Sequence, residues 1–215
     1  MTKRRNAYSG EILSVLNGLY PEAKTQLKFE TPFQLLVAVM LSAQTTDRQV
    51  NAITKTLFEK YTVPQDFARL PVSTLENEIK SCGLYKNKAK NINETSKILV
   101  DKFDSTVPDS FEELVKLPGV GRKTANVVLA NAYGRDVIAV DTHVFRVANR
   151  LGLASSKTPE KTEEDLTRSI PPGSRSKAHH WLIYHGRQVC RAQNPKCPEC
   201  VLSDCCKYYR SIKSR

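Results

Sequence analysis

A lysine at the start of a predicted helix is the first residue in this sequence that could do chemistry. Residues 117–125 read LPGVGRKTA. Pro118 and Gly119 end one helix, and Gly121 gives the backbone a sharp turn into the next. Lys123 then falls in the first helical turn, where the helix dipole disfavours the ammonium form and partial burial would act in the same direction. The segment therefore predicts a free amine that can act as a nucleophile.

The same turn is also a candidate phosphate site. A Gly-x-Gly turn before a helix exposes backbone N–H groups that have no partner within the helix, and these groups suit a phosphate. The alternative is an ordinary packing corner between two helices.

An aspartate follows the lysine after eighteen residues. Asp141 stands between the apolar run 137–140 and another predicted helix. Aspartate in this place commonly caps the helix. A capping carboxylate can also lie in a cleft and face another helix start, so Asp141 is a candidate partner for Lys123.

Four cysteines near the C-terminus have the spacing C-x6-C-x2-C-x5-C. They are Cys190, Cys197, Cys200 and Cys206. A structural zinc site usually pairs two C-x2-C motifs, and this segment has one, whereas the longer loops can surround a cubane cluster. The spacing favours a [4Fe–4S] cluster, with zinc as the alternative. Cys205 is a possible competing ligand, and Cys82 is most simply a small core residue.

The composition indicates a basic protein that binds a polyanion. Lys and Arg number 33 against 22 Asp and Glu, a net charge of +11. A merely soluble surface is the alternative. The longest apolar stretch, residues 33–41, is too short to span a membrane, and no secretory signal is evident. We therefore expect a cytoplasmic, nucleoid-associated protein, in which clustered cysteines indicate metal binding before disulfides.

The elements that position these residues are predicted to be helices. Apolar residues recur at three-to-four spacing in several segments, and no alternating run indicates a strand. The start signals are Thr31-Pro32, Ser73 with Glu76, Ser110 with Glu113, and Thr158-Pro159. The sequence predicts an all-α fold of about nine or ten short helices.

Several motifs together resemble endonuclease III, of the helix-hairpin-helix DNA glycosylase superfamily. The matching segments are residues 41–47 (LSAQTTD), 83–89 (GLYKNKA), 117–128, 140–147, 180–186 (HWLIYHG) and the cysteine loop. The resemblance extends from about residue 25 to residue 206. It implies a six-helix barrel domain at 25–135 that contains the helix-hairpin-helix, and an iron–sulfur cluster domain made of 1–24 and 136–215.

The resemblance also implies a chemistry. Lys123 would attack C1′ of a damaged nucleotide, the base would leave, and a Schiff base would form before β-elimination cuts the strand 3′ to the lesion. Asp141 would stabilise the positive charge on the sugar and relay protons. The partner would be duplex DNA with oxidised pyrimidines or abasic sites, bound by a monomer.

A base inside a duplex must be flipped out to reach the lysine. By resemblance, Gln44 and Leu84 fill the gap, and Asp47 and His143 belong to the pocket. The alternatives are a polar helix-end residue for Gln44, a core leucine for Leu84 and a helix cap for Asp47.

Further contacts to the DNA backbone are expected from the hairpin and from basic residues. The amides of Gly119 and Gly121 would bind phosphate, and Arg191 and Lys196 flank the cysteine ligands. Arg146, Lys86 and Lys88 are further candidates. By resemblance, Cys206 is the fourth cluster ligand, Cys205 is spare and the cluster is structural.

Three rival functions are weighed against this one. The adenine-specific mismatch glycosylase of the same superfamily lacks a lysine at the nucleophile position and carries an extra C-terminal domain, whereas this chain has Lys123 and ends nine residues after Cys206. A DNA-binding module without chemistry would use the hairpin only as a phosphate clamp. A zinc-stabilised regulator would hold zinc in place of the cluster.

Overall fold

The fold is described from a computed structural model, which covers the backbone of residues 2–214 and the side chains of residues 8–214. These residues form twelve α-helices and no strand, which confirms the all-α class. The helices are α1 Thr2–Leu19, α2 Pro32–Leu41, α3 Asp47–Lys60, α4 Pro64–Arg69, α5 Val72–Ile79, α6 Tyr85–Lys102, α7 Phe111–Leu114, α8 Arg122–Ala132, α9 Thr142–Leu151, α10 Pro159–Ser169, α11 Arg175–Gln188 and α12 Lys207–Lys213. None of the described helices is long and apolar enough to cross a membrane.

The chain divides into two compact units. One consists of Gln26–Gly134, and the other combines Met1–Thr25 with Arg135–Arg215. We call them the continuous unit and the split unit.

The continuous unit is built around α2. Every residue from Phe33 to Leu41 is buried, because this helix packs against α3, α6 and α8. A helix that is apolar on all sides belongs at the centre of a core. Its start agrees with the sequence: the Thr31 side chain accepts a hydrogen bond from the amide of Gln34, and Pro32 occupies the first turn.

Helix α6 gives the continuous unit its long support. It packs against α2, α4 and α5. The buried Asn93 side chain donates to the carbonyl oxygens of Phe67 and Leu70, at 2.7 and 3.0 Å. These bonds satisfy carbonyls at the end of α4 that burial would otherwise leave without partners.

The split unit has its own core. The apolar residues Val144, Val147, Ala148 and Leu151, which recur along α9 at three-to-four spacing, are at most 1% exposed. Ile12 and Leu16 of α1 belong to the same core cluster. Helix α1 packs on α10 and α11, and α9 packs on α10, α11 and α12.

Two local expectations were wrong. The structure has more helices than expected, because short ones such as α4 and α7 contain too few residues to show a helical period. The capping box of Ser73 with Glu76 does not form, because α5 already begins at Val72 and Pro71 occupies its N-cap. The other N-caps, Ser110 and Thr158, are confirmed.

Candidate functional site

The turn before α8 is fixed tightly against α6. Gly119 has a φ of 76°, and a Cβ on it would lie 2.8 Å from Asn91 Nδ2. Both the left-handed backbone and the close approach of Asn91 therefore require glycine. The Thr95 hydroxyl donates to the carbonyl oxygen of Pro118 at 2.9 Å. The preceding helix ends at Leu114, three residues earlier than the sequence indicated.

Lys123 is the second residue of α8, as predicted. The N-cap is Gly121, whose position offers no side-chain hydrogen bond to the helix start. Lys123 is exposed, so the partial burial that we expected for it is absent. The helix is held by its other face, where Ala125, Val127 and Val128 are buried. The turn thus presents a long, solvent-accessible amine on a rigid support.

Asp141 is the N-cap of α9. Its Oδ1 accepts a hydrogen bond from the amide of Val144 at 2.8 Å, and the residue is half-buried. The capping role weighed from the sequence is therefore confirmed. This bond also fixes the direction of the carboxylate, which a catalytic carboxylate needs.

His143 is the second residue of the same helix, two residues after Asp141. Its Nδ1 is 3.1 Å from the guanidinium of Arg146. Burial lowers the pKa of His143, and Arg146 and Arg187 act in the same direction, although Asp141 opposes them. The imidazole is therefore favoured in its neutral form.

Arg146, a candidate for DNA binding, makes hydrogen bonds within the split unit. Its guanidinium donates to the carbonyl oxygens of Cys190 and Gly186, at 3.1 and 3.0 Å. A Cβ on Gly186 would lie 3.0 Å from Val147 and 3.2 Å from Arg146, so glycine lets α9 and α11 approach. Arg146 joins α9 to the cysteine loop, a role that the sequence did not indicate.

Gln44 and Leu84 lie in two neighbouring loops of the continuous unit. Both are exposed, and both have left-handed backbones, with φ values of 55° and 58°. Leu84 is 56% exposed, which excludes the core alternative for it. Gln44 lies in the α2–α3 loop, beyond the end of α2. A Cβ on Gly83 would lie 3.5 Å from the Gln44 carbonyl oxygen, so the loops are in contact.

One alternative weighed for Asp47 and one expectation for Lys88 were wrong, whereas the pocket role of Asp47 stays a prediction. The N-cap of α3 is Thr46, whose side chain accepts from Gln49, so Asp47 is the first helical residue and not the cap. Lys88, a candidate DNA contact, is 6% exposed and bonds only uncharged groups of the two loops. Lys86, two residues earlier, is exposed.

The four cysteines of the predicted motif line one pocket in the split unit. Cys205 is not among the lining residues, and its thiol bonds the carbonyl oxygen of Leu202 at 3.3 Å. The pocket wall also includes His185, whose Nε2 is 3.6 Å from Cys200 Sγ. The structure therefore brings together the predicted ligand set and leaves Cys205 outside it.

The thiols of this pocket influence one another. Burial raises the pKa of Cys197, and the neighbouring Cys190 and Cys206 raise it further. Burial also raises the pKa of Cys200. Neighbouring thiolates repel, so a cationic occupant would be required to hold them deprotonated. Within residues 2–214, no three His, Cys, Asp or Glu side chains form a group that could hold a metal ion.

Arg150 supports the beginning of the cysteine loop. It donates to the carbonyl oxygens of Arg191 and Ala192, at 2.6 and 3.2 Å, and lies 4.5 Å from the centre of the Tyr208 ring. The side chains of Arg191 and Lys196 are exposed, as a phosphate contact would require. The basic side chains of the loop are thus accessible to solvent, while its first carbonyl oxygens accept hydrogen bonds from Arg146 and Arg150.

Comparison with known proteins agrees with this description. Residues 37–172 match the family described as HhH-GPD superfamily base excision DNA repair protein. Endonuclease III of Rickettsia felis is 49% identical over 201 residues, 94% of each chain. Endonuclease III of Escherichia coli strain K12 is 45% identical over 202 residues, covering 94% of this chain and 96% of that protein.

Two solved structures extend the comparison to the whole fold. A non-covalent endonuclease III–DNA complex has a TM-score of 0.91 and 44% identity, with all of both chains covered. A trapped endonuclease III–DNA covalent intermediate has a TM-score of 0.91 and 45% identity, with 99% of both chains covered. The fold and the site thus define a base excision DNA repair protein of the helix-hairpin-helix superfamily. Within that superfamily, the chain belongs to the endonuclease III family.

Proposed function

We propose that this protein is a bifunctional DNA glycosylase and AP lyase, which excises oxidised pyrimidines from duplex DNA and cuts the strand 3′ to the abasic site. The observation that carries the proposal is the exposed Lys123 in the first turn of α8. A related chain, 45% identical, has been trapped covalently on DNA. An amine on a rigid helix start is the group that such an adduct requires.

The reaction follows from the chemistry of an amine and a carboxylate. Lys123 Nζ forms a bond to C1′ as the bond from C1′ to the base breaks, and the base leaves with the electron pair. The base takes up the proton that the amine loses. The nitrogen lone pair then breaks the C1′–O4′ bond, O4′ takes up a proton, and a protonated imine forms. This imine makes the C2′ proton acidic, and its removal breaks the C3′–O bond and expels the 3′ phosphate. Asp141 stabilises the positive charge that develops on the sugar and assists the proton transfers. Its capping bond to Val144 supports this role, because it holds the carboxylate in place.

The DNA is held by groups around the two helix starts. The amides of Gly119 and Gly121 bind a phosphate, helped by the dipole of α8. Gln44 and Leu84 fill the space that the flipped nucleotide leaves in the duplex. Two observations support this role: both side chains are exposed, and the loops that carry them are in contact. His143 contributes to the pocket as a neutral imidazole, and Arg191 and Lys196 contact phosphates.

The two compact units correspond, in this proposal, to two domains. The continuous unit Gln26–Gly134 is the six-helix barrel domain with the helix-hairpin-helix, and the split unit is the cluster domain. The protein works as a monomer in the cytoplasm, at the nucleoid, where its DNA substrate lies.

A [4Fe–4S] cluster is proposed in the pocket of the split unit, with Cys190, Cys197, Cys200 and Cys206 as ligands. Four thiols around one pocket are the donor set that such a cluster requires, so the residues fit the group. When bound, the cluster supplies four iron–thiolate bonds that hold the loop and no step of the repair reaction. Arg150 and Arg146 bind carbonyls of the same loop, which supports a structural role.

Metal analysis tests this part of the proposal. We expect the purified protein to be brown and to contain iron and acid-labile sulfide, about four of each per chain. A serine in place of Cys200 should lower both, whereas Cys205→Ser should leave them unchanged. A colourless protein that contains zinc would contradict the cluster and favour the alternative metal.

Borohydride trapping tests the catalytic proposal. Wild-type protein incubated with borohydride and a duplex that contains an oxidised pyrimidine or an abasic site should form a covalent complex, because borohydride reduces the imine. Lys123→Gln should form none while still binding the duplex. If wild type forms no adduct, or if Lys123→Gln is trapped as well as wild type, the mechanism is wrong and a non-catalytic DNA-binding module is the better interpretation.

A further inference from the structure

Lys88 is a buried lysine in the first turn of α6. Its side chain is 6% exposed, and its Nζ donates to the carbonyl oxygens of Leu41 and Ala43 at 2.8 and 2.6 Å. The same Nζ is 3.1 Å from Thr45 Oγ1 and 3.0 Å from Cys82 Sγ. An ammonium group has three N–H donors, and a buried one is tolerated only when they are satisfied. These four acceptors supply that environment.

The four acceptors belong to two different loops. Leu41, Ala43 and Thr45 belong to the end of α2 and the α2–α3 loop, whereas Cys82 belongs to the α5–α6 loop. Direct contacts complete the junction: Thr45 Oγ1 is 3.1 Å from Cys82 Sγ, and that thiol is 3.3 Å from the Leu41 carbonyl oxygen. The Lys88 ammonium group is therefore at the centre of a polar junction between the loops.

The junction holds the chain on both sides of the two exposed residues in these loops. Gln44 stands between Ala43 and Thr45, both of which bind Lys88, and Leu84 follows Cys82 by two residues. Both have positive φ, a conformation that non-glycine residues keep only when their surroundings enforce it. The hydrogen bonds of the buried Lys88 help to hold the backbone in these conformations.

We propose that Lys88 is a positioning residue that sets the placement of Gln44 and Leu84 in the DNA. It does not touch DNA, since its amine is directed into the junction. The inference rests on the proposed function, in which these two residues fill the space of a flipped nucleotide. Loss of the ammonium group would leave the carbonyls of Leu41 and Ala43 with only the more distant Cys82 thiol and Thr45 hydroxyl, at 3.3 and 3.4 Å, and would let the loops separate.

Lys88→Met tests the role, because methionine keeps most of the length of the side chain and removes the charge. Lys97→Met is the matched control, since Lys97 is an exposed lysine of the same helix. Two substrates separate base flipping from chemistry. One is a duplex with an oxidised pyrimidine, and the other is a single strand with a preformed abasic site, which needs no flipping.

We expect Lys88→Met to slow single-turnover excision from the duplex about tenfold and to change strand cleavage of the abasic single strand less than about twofold. Lys97→Met should match wild type on both. A fluorescent 2-aminopurine opposite the lesion should brighten on binding of wild type and brighten less with Lys88→Met. Equal losses on both substrates, or no loss on the duplex, would overturn the proposal.

Additional variants separate failure of this inference from failure of the gap-filling roles. If Gln44→Ala and Leu84→Ala lower duplex excision and Lys88→Met does not, only the role of Lys88 fails. If neither of the first two variants affects the duplex reaction, the gap-filling roles fail. If Lys88→Met does not fold, Thr45→Val replaces it as the test, because this variant removes a single acceptor of Lys88. Thr45→Val should slow only the duplex reaction, about twofold to threefold. An unchanged rate of the duplex reaction would overturn the proposal.

Discussion

Helices α8 and α9 each have a residue proposed for catalysis at the N-terminus, Lys123 as the second residue of α8 and Asp141 as the N-cap of α9, but the two helices are capped differently. The N-cap of α8 is Gly121, with no side-chain hydrogen bond to the helix. The N-cap of α9 is Asp141, whose Oδ1 accepts from the Val144 amide at 2.8 Å. At α8 no side chain caps the helix, as the proposed phosphate contact requires, whereas one amide of α9 is bonded by the carboxylate of its own N-cap.

This difference matches the work proposed for each helix. A nucleophile must follow a sugar carbon that moves during the reaction, and the exposed lysine beside the turn proposed to bind phosphate has that freedom. A carboxylate that stabilises charge works best when its direction is fixed beforehand. In this proposal, a helix N-terminus binds phosphate in one unit and fixes the direction of a carboxylate in the other.

Asp141→Asn should give the largest effect. Asparagine can still accept the Val144 hydrogen bond, so the free energy of unfolding should change little. The charge is lost, so single-turnover excision should fall about a hundredfold, which corresponds to roughly 3 kcal/mol. Excision kinetics and thermal unfolding measure the two quantities. Asp141→Ala is the comparison, because it should also lose about 1 kcal/mol of stability with the cap. A near wild-type rate for Asp141→Asn would refute the role of the charge.

Gly119→Ala should give the next largest effect, on the turn before α8. A Cβ there meets Asn91 at 2.8 Å, and the φ of 76° disfavours alanine. We expect a loss of about 2 kcal/mol in the free energy of unfolding, measured by urea denaturation. Adding Asn91→Ala should restore only the part due to the side-chain amide, because the Cβ of residue 91 would still lie 2.9 Å from the new Cβ. If Gly119→Ala unfolds like wild type, the turn is less rigid than described.

Gly121→Ser should give the smallest effect on stability, and it makes α8 resemble α9. A serine N-cap would occupy an amide of the helix start, with a gain of a few tenths of a kcal/mol in stability. The same amide would then be less available to phosphate, so binding of abasic duplex should weaken about threefold. Fluorescence anisotropy at low salt measures the affinity for the abasic duplex. Unchanged affinity would show that the open start of α8 does not bind phosphate.

The sequence was sufficient for features that depend on residues close together in the chain. The caps at Thr31 and Thr158, the apolar stripe of α9 and the place of Lys123 in α8 all follow from spacings of three or four residues. The four cysteines were identified by spacing, and the structure places them around one pocket. Such local rules specify most of the helices and the main elements of the site.

Features that depend on distant contacts were not predictable in this way. Lys86 and Lys88 look alike in the sequence, but only Lys88 is buried, because the α2–α3 loop more than 40 residues earlier provides its acceptors. Arg146 resembles a DNA contact in the sequence, but in the structure its guanidinium donates to the carbonyl oxygens of Gly186 and Cys190. A single sequence does not indicate which cations find internal partners.

The division of the chain into a continuous and a split unit has a consequence for biosynthesis. All of Gln26–Gly134 leaves the ribosome as one stretch, so this unit can fold while translation continues. The split unit cannot close until its last part emerges, because the Tyr8 hydroxyl bonds the carbonyl oxygen of Cys205, 197 residues later. During translation, α1 therefore leaves the ribosome long before the residues of the split unit with which it packs. The cysteine pocket, formed by residues 151–209, can assemble only after the whole continuous unit has been synthesised.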